Sequence, residues 1–472
     1  MPSNRIVPLI IAVALFMENM DSTVIATSLP SIAADIGANP LALKLAITSY
    51  LLSLAIFIPA SGWTADRFGA RTVFRAAIAV FVLGSIGCAL SGSLTDFVIA
   101  RIVQGMGGAM MTPVGRVVLV RTIPKRELVN AMAWVTVPAL VGPVLGPPVG
   151  GFITTYATWH WIFLINVPIG LIGIVLVTRY IEDLRAETHE RFDGLGMALS
   201  GLGIAGMAFG FSVLGLNFLP WPVVVALIVA GAIFTAAYLV HARRVEVPAL
   251  DLTLFRLPTF RASVTGGFVF RIGIGAMPFL LPLMLQVGFG MTPFQSGLIT
   301  FVSAIGAMTM KMAAATLLRL FGFRTILLVN AVVSAGFLAA CAAFTKTTPV
   351  AGMLAVLLIG GFFRSLQFTS INTLAYAEVE HQRVSRATSL VSVAQQLAIS
   401  AGVAFGALAV ELVVHWRGDG TLQASDFQPA FVAVAAVSAL SILIFMRLPA
   451  NAGAELANRA PAPSERADQR PG

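Results

Sequence analysis

Apolar residues in this chain occur in long, nearly unbroken stretches rather than in the alternating or one-sided patterns of soluble strands and helices. Each stretch approaches the roughly 20 residues that an α-helix needs to cross a hydrocarbon core. The stretches lie near residues 7–28, 43–63, 72–92, 97–120, 130–154, 160–180, 195–216, 221–241, 262–286, 294–318, 325–344, 350–375, 387–411 and 428–447. The pattern predicts an all-α polytopic membrane protein with 14 transmembrane helices.

Composition supports the same class. Hydrophobic residues make up 58% of the chain and charged residues 11%, whereas soluble domains carry about 25% charged residues. Cys88 and Cys341 both fall inside apolar stretches, so the sequence does not predict a disulfide framework.

The net charge of +9 is explained by the positions of the arginines rather than by a nucleic-acid partner. Basic residues cluster in alternate connections, as expected for loops retained in the cytoplasm. The clusters are Arg67/Arg71/Arg75, Arg121/Lys125/Arg126, Arg179/Arg185/Arg191, Arg243/Arg244/Arg256/Arg261, Arg319/Arg324 and Arg383/Arg386. This alternation predicts cytoplasmic termini. We also predict a multi-pass protein of a bacterial-type inner (plasma) membrane, with membrane lipid as a partner.

The amino-terminal stretch has an alternative interpretation as a cleaved signal peptide. Glu18 and Asp21 interrupt its apolar region, and removal of the first span would reverse the charge parity of all later loops. We therefore interpret the stretch as the first transmembrane helix.

A repeated segment indicates that the bundle is built twice. Residues 62–72 read GWTADRFGART, and residues 320–325 read LFGFRT, with glycine, arginine and threonine each 253 positions later (322 − 69 = 253). Internal repeats of this kind are common in secondary transporters. We predict an amino-terminal six-helix bundle, an inserted two-helix hairpin, a carboxy-terminal six-helix bundle and a disordered cytoplasmic tail, over residues 1–182, 183–260, 261–449 and 450–472.

Five motifs occur in order along the first half: residues 16–24 (FMENMDSTV), the 62–71 loop, 101–109 (RIVQGMGGA), 142–151 (GPVLGPPVGG) and 159–170 (WHWIFLINVPIG). Together they resemble the fourteen-span drug:proton antiporter branch of the major facilitator superfamily. The resemblance implies the major facilitator fold, with two six-helix bundles that rock about a central cavity. It also implies outward drug movement driven by inward protons.

Four charged residues inside the first and fourth spans are candidates for proton coupling: Glu18, Asp21, Arg101 and Arg116. Charges within a membrane are costly and usually face a cavity or a partner, and Glu18 and Asp21 share one helical face. The resemblance places Asp21 at the family's first-span aspartate and assigns Arg101 to proton coupling. Purely structural roles remain open: a hydrogen-bonded Asp21, a buried ion pair of Arg101, and an Arg116 that extends to the interface.

The loop after the second span predicts a conformational latch. Gly62 and Gly69 permit close backbone approach, and Asp66, Arg67 and Arg71 could exchange ion pairs between neighbouring helix ends. Turn glycines with ordinary cytoplasmic arginines are the alternative interpretation, although this leaves Asp66 unexplained.

In the fifth span, Gly142, Gly146 and Gly150 recur every four residues, with Gly151 and Pro143 beside them. Small residues at this spacing form a stripe against which another helix can pack closely. The resemblance links this element to antiport, whereas helix packing alone would also explain it.

The second half carries polar residues that are candidates for lining a substrate cavity. They are Arg271, Lys311, Arg364, Gln367, Asn372, Gln395 and Gln396. Three cations inside the membrane also fit an anionic or zwitterionic substrate, so the alternative function is a proton symporter that imports such a metabolite.

Enzymatic functions lack support in the sequence. It contains no Walker-type phosphate loop, and its five histidines lack metal-ligand spacing. We therefore predict a secondary active transporter that works by alternating access, without a metal or a cofactor other than the coupling proton. Its predicted function is export of amphipathic or toxic small molecules by drug:proton antiport, as a monomer.

Overall fold

In the computed structural model of the protein, fourteen helices among the described residues are long and apolar enough to cross a membrane. The structure describes residues 3–124, 127–182, 192–214, 216, 218–418 and 421–456. The helices, numbered α1 to α14, are Ile6–Thr27, Pro40–Phe68, Ala70–Ala89, Leu94–Thr122, Trp134–Tyr156, Trp161–Tyr180, Gly194–Val213, Trp221–Ala242, Pro258–Gly288, Pro293–Phe321, Phe323–Ala343, Val350–Leu374, Val384–Arg417 and Ala424–Phe445. The predicted all-helical class and the predicted count of 14 are confirmed.

The repeat extends from the loop motif to whole helices. α2 and α10 begin at Pro40 and Pro293, which are as far apart as the two loop motifs (293 − 40 = 253). Each is followed by a glycine with positive φ, 88° at Gly69 and 76° at Gly322, and the next helix starts at the following residue. Because other residues rarely adopt this conformation, glycine at both positions sets the sharp boundary between consecutive helices.

Helices α1–α6 pack on one another, as do α9–α14, and the two groups meet mainly where α2 contacts α13 and where α5 contacts α10. Helices α7 and α8 pair with each other, and α7 also packs against α2 and α13. The domain boundaries stay predictions. Of the predicted tail only residues 450–456 are described, and residues 183–191 at the start of the predicted hairpin also lie outside the described residues.

Local sequence fixes several helix starts. Proline occupies the first turn of α2, α9 and α10, where its missing N–H costs no hydrogen bond. Ser93 caps α4 by accepting a hydrogen bond from the Asp96 N–H, and Thr292 forms a capping box with Gln295 at the start of α10.

We call the helix ends that the loop arginines assign to the cytoplasm the inner ends, and the opposite ends the outer ends.

Candidate functional site

The carboxylate of Asp21 in α1 is fully buried and accepts hydrogen bonds from three side chains. Arg101 donates from Nη1 to Oδ2 at 2.8 Å, while Gln104 and Asn166 donate to Oδ1 at 2.9 and 2.8 Å. Gln104 also donates to the Ser85 hydroxyl at 2.8 Å. Helices α1, α3, α4 and α6 therefore meet in one buried polar network around a single carboxylate.

Arg101 is held in place on several sides. It is 1% exposed, donates from Nε to the Ala46 carbonyl at 3.1 Å, and donates from Nη1 to Gln104 at 2.6 Å. Its guanidinium carbon lies 4.2 Å from the centroid of the Tyr50 ring, a distance that allows a cation–π interaction. Because a buried guanidinium needs a compensating anion, loss of the Asp21 charge would leave Arg101 uncompensated and favour rearrangement of the network.

Glu18 lies one helical turn from Asp21 toward the inner end and is only partly buried. The Thr112 hydroxyl of α4 donates to its Oε2 at 2.8 Å, and the exposed Arg116 lies one turn beyond Thr112 on the same helix. A Cβ at Gly108 would lie 3.0 Å from Tyr50 Oη and 3.7 Å from Glu18 Cγ. Gly108 thus allows these two side chains to approach the same part of α4.

One face of α4 carries these contacts as a continuous seam. Arg101, Gln104, Gly108, Thr112 and Arg116 follow one another at intervals of three or four residues, so they share a helical face. The seam is about 22 Å long at 1.5 Å per residue. Exposure increases along it, from the buried Arg101 to the exposed Arg116, so the seam is sealed around Asp21 and opens toward the inner end.

The glycine stripe of α5 lies directly against α1. A Cβ at Gly142 would lie 2.9 Å from the Phe16 carbonyl oxygen, and one at Gly150 would lie 2.3 Å from that of Val24. A Cβ at Gly146 would be 2.0 Å from the Thr23 hydroxyl oxygen. The stripe therefore sets the position of the α1 segment that carries Glu18 and Asp21.

Further along α5, the small residues face the other bundle. A Cβ at Gly151 would lie 2.4 Å from the Pro293 carbonyl oxygen of α10, and one at Gly297 would lie 2.3 Å from that of Pro147. Pro143 is partly buried within the same continuous helix. Helices α5 and α10 thus touch backbone to backbone, and the bundles are closed at the outer end.

A buried ion pair joins the bundles at the same end. Lys44 in α2 is fully buried, and its Nζ lies 3.0 Å from Oε1 of Glu411 in α13 and 3.2 Å from the Leu214 carbonyl oxygen at the end of α7. Nearby, Gln286 donates to the Thr27 carbonyl at 2.9 Å. Glu411 is only 12% exposed, and α13 continues beyond it to Arg417.

At the inner end, Asp66 pairs with Arg121 at the end of α4 rather than with Arg67 or Arg71. Arg71 instead donates to the Ile181 carbonyl at 3.5 Å. Arg67 is exposed. These contacts all lie within the first bundle.

The two latch glycines differ. Gly69 requires glycine because its φ is 88°. Gly62 has open space where a Cβ would lie, so close approach at Gly62 is not a feature of this conformation.

In the second bundle, three of the seven predicted cavity residues meet. Arg271 donates from Nη2 to Asn372 Oδ1 at 2.7 Å, and Gln395 donates from Nε2 to the same oxygen at 2.9 Å. The guanidinium carbon lies 5.2 Å from the centroid of the Phe368 ring. This cluster joins α9, α12 and α13.

The other four lie apart from this cluster. Arg364 donates to the Ser303 hydroxyl at 2.9 Å. Gln367 is fully buried and donates to a main-chain oxygen of α11, so it packs within the bundle. Lys311 is exposed, and Gln396 is partly buried.

The sequence does not predict several residues of the Asp21 network or of the Lys44–Glu411 ion pair. Gln104 and Asn166 lie inside the quoted motifs without being predicted as site residues, and neither Ser85 nor Lys44 is predicted as one. A polar residue three positions from Arg101 on the same helical face was a usable signal for Gln104. The sequence has no comparable signal for Asn166, which is 145 residues from Asp21.

Comparison with known proteins agrees with this architecture. The profile of the Major Facilitator Superfamily matches residues 11–240 and 263–469. Proteins from Salmonella heidelberg (strain SL476) and Salmonella typhimurium, both named "Putative multidrug resistance protein MdtD", are 37% identical over 450 residues, which cover 93% of this chain and 94% of each relative.

Two solved structures share the fold. A D-xylose-proton symporter aligns with a TM-score of 0.69 at 15% identity, covering 95% of this chain and 98% of its own. A bacterial homologue of the human lysosomal transporter Spinster aligns with a TM-score of 0.66 at 15% identity, covering 98% and 99%.

Proposed function

Since the chain belongs to the major facilitator superfamily, we propose that it exports amphipathic, toxic small molecules in exchange for protons. It is a multi-pass protein of the bacterial inner membrane and a secondary active transporter, not an enzyme. The relatives named for multidrug resistance support the direction and the substrate class. The observation that carries the proposal is the fully buried Asp21–Arg101 ion pair between α1 and α4.

In this proposal, Asp21 is the coupling carboxylate. Its ionised form is matched by three donors, so a proton on Asp21 removes the negative charge around which the network is ordered. Protonation of Asp21 is then linked to rearrangement of Arg101. A linked equilibrium of this kind couples proton binding to a change of conformation.

The seam on α4 supplies the route to the cytoplasm. Glu18 lies between the sealed Asp21 and the exposed Arg116 and is held by Thr112. A carboxylate at this depth passes a proton between the buried network and water at the inner end. The coupling ion is a proton, and the proposed mechanism needs no metal or other cofactor.

The outer contacts and the inner loop serve the alternation between states. The Lys44–Glu411 pair and the α5–α10 contact stabilise the state that is closed at the outer end. Asp66 and its neighbours are positioned to exchange partners when the inner ends approach each other. We propose that a monomer in membrane lipid completes this cycle.

Transport in proteoliposomes tests the proposal. Purified protein is reconstituted with a fluorescent amphipathic compound, and a pH gradient is imposed in either direction. We expect uphill accumulation that collapses with the gradient, and loss of that accumulation in Asp21→Asn protein that reconstitutes normally. A substrate flux that is the same with and without the pH gradient would contradict proton coupling.

Import by proton symport is the alternative, and the cations of the second bundle are the observation that favours it. Everted membrane vesicles with an acidic interior, from which protons flow outward, separate the two. An exporter loads the vesicles, whereas an importer does not.

A further inference from the structure

Arg271 is a buried cation without a matching anion. It is 5% exposed in the middle of α9, and it forms no ion pair with any carboxylate of the described residues. The oxygen that it contacts, Asn372 Oδ1, is neutral and is shared with Gln395. Since burial of an uncompensated charge is unfavourable, the arrangement is incomplete unless an anion joins it.

A small cavity lies beside this guanidinium, between α9, α12 and α13. Its polar lining is Ser263, Arg271 and Asn372, and the rest is apolar. It has room for about one water molecule or one carboxylate oxygen. The Ser263 hydroxyl is 1% exposed and has no hydrogen-bond partner among the described residues. The Arg271 guanidinium and the Ser263 hydroxyl therefore both have unused hydrogen-bonding capacity.

The backbone of α9 is shaped for this arrangement. Ser263, Gly267 and Arg271 follow one another at four-residue intervals and so share a helical face. A Cβ at Gly267 would lie only 2.6 Å from Arg271 Nη1. Glycine thus leaves the space over which the guanidinium folds back toward Ser263.

The internal repeat relates Arg271 to the proton-coupling face of the first bundle. Arg271 stands 253 positions after Glu18, the same offset that relates α2 to α10. Glu18 accepts from Thr112 of α4, and Arg271 donates to Asn372 of α12, the helix that corresponds to α4. The equivalent positions of the two bundles thus carry opposite charges.

We propose that Ser263, Arg271 and Asn372 form a binding subsite for the acidic group of a transported molecule, a carboxylate or a comparable monoanion. Arg271 supplies the charge, and the Ser263 hydroxyl donates a hydrogen bond. Gln395 holds the Asn372 oxygen, which leaves the Asn372 amide nitrogen to donate. This inference rests on the proposed function and narrows the exported class to amphipathic molecules that carry an acid.

Three dansyl compounds with one ring system test the subsite by fluorescence binding to the purified full-length protein. They are dansylglycine, which carries a carboxylate, its neutral amide, and the cationic dansyl-ethylenediamine. We expect the wild type to prefer dansylglycine, and Arg271→Gln to weaken dansylglycine binding by about 10- to 100-fold, the range for a lost hydrogen bond to a charged group. The amide should bind both proteins equally.

Matched variants separate charge recognition from folding. Arg261→Gln removes an exposed arginine from the same helix and should change nothing, while Arg271→Lys should recover part of the affinity. If Arg271→Gln fails to fold, Ser263→Val tests the subsite without removing the charge, because it fills the cavity and should weaken dansylglycine selectively.

Several outcomes would overturn the subsite. Equal loss of carboxylate and amide binding would assign Arg271 a structural role, and unchanged dansylglycine binding would remove it from recognition. Saturable chloride binding that depends on Arg271, without competition against dansylglycine, would indicate an inorganic ion site. If gradient-driven export of any of the three dansyl compounds persists alongside one of these outcomes, the subsite fails while the proposed function stands.

Discussion

Removal of one partner from the Lys44–Glu411 pair should open the outer end of the transporter. The pair joins α2 of the first bundle to α13 of the second, with side chains 0% and 12% exposed. When the outer ends separate, the two charges must separate as well. The variant Glu411→Gln retains the shape of the side chain but leaves the Lys44 ammonium buried beside a neutral amide.

The magnitude follows from burial. Loss of one partner from a buried ion pair costs about 3–5 kcal/mol, and the remaining hydrogen bond to the Leu214 carbonyl at 3.2 Å offsets part of this cost. A net loss of about 2–3 kcal/mol from the closed state shifts the ratio of closed to open molecules by roughly 30- to 150-fold. A shift of this size is visible in a distance distribution.

Electron–electron distance measurement between spin labels provides the assay. Gly92 and Lys346 are exposed in outer loops of the first and second bundles, so Gly92→Cys and Lys346→Cys carry the labels. The buried Cys88 and Cys341 are replaced by alanine. We expect one short distance in the parent protein and a second, longer population in Glu411→Gln.

The double variant Lys44→Met/Glu411→Leu is the matched control. It removes both charges, and apolar replacement of a buried pair is often neutral or stabilising, so the short distance should return. An unchanged distribution in Glu411→Gln, or a double variant as open as the single one, would refute the role of the ion pair in closure.

Three further predictions concern packing, charge and the inner loop. Gly150→Ala should lower the free energy of unfolding by about 1–3 kcal/mol through overpacking and impair transport, because the added methyl group would lie 2.3 Å from a main-chain oxygen of α1. Thermal unfolding measures the effect, and Gly336→Ala, which has open space around it, is the control. Burial raises the pKa of Asp251, but the hydrogen bonds from Thr253 and Arg383 outweigh this effect and lower the pKa overall. The contribution of Asp251 to folding stability is therefore present above the ordinary carboxyl pKa and is lost only as the pH falls through the lowered pKa. Asp251→Asn should therefore reduce the unfolding temperature by the same amount at pH 6 and pH 8, and a difference that disappears at pH 6 would count against this assignment. Asp66→Asn should change stability by less than about 1 kcal/mol, because its ion pair is exposed, yet slow transport; a variant with wild-type rates in proteoliposomes would remove Asp66 from the latch.

The membrane spans could be predicted because lipid imposes a simple rule on length and polarity. The same rule singled out Asp21 and Arg101, since charges in a hydrocarbon core need partners. The choice of partner depends on packing between distant helices. Lys44 and Glu411 are 367 residues apart, and nothing in either local sequence indicates that they meet.

Gln367 shows how helix rotation decides the surroundings of a residue. It belongs to a polar run that predicted a cavity lining, but its position on α12 turns it toward α11, where it satisfies a main-chain oxygen. Periodicity assigns a residue to a helix, whereas the rotation of that helix in the bundle decides what the residue faces. Arg271, Asn372 and Gln395 face one another for the same reason.

The most direct test of the central claim is proton release when substrate binds. An exported compound is added to the purified protein in weakly buffered solution, and a pH-sensitive dye records the change. Coupling at Asp21 predicts release from the wild type and none from Asp21→Asn protein that still binds the compound. Equal release from both proteins would contradict the account.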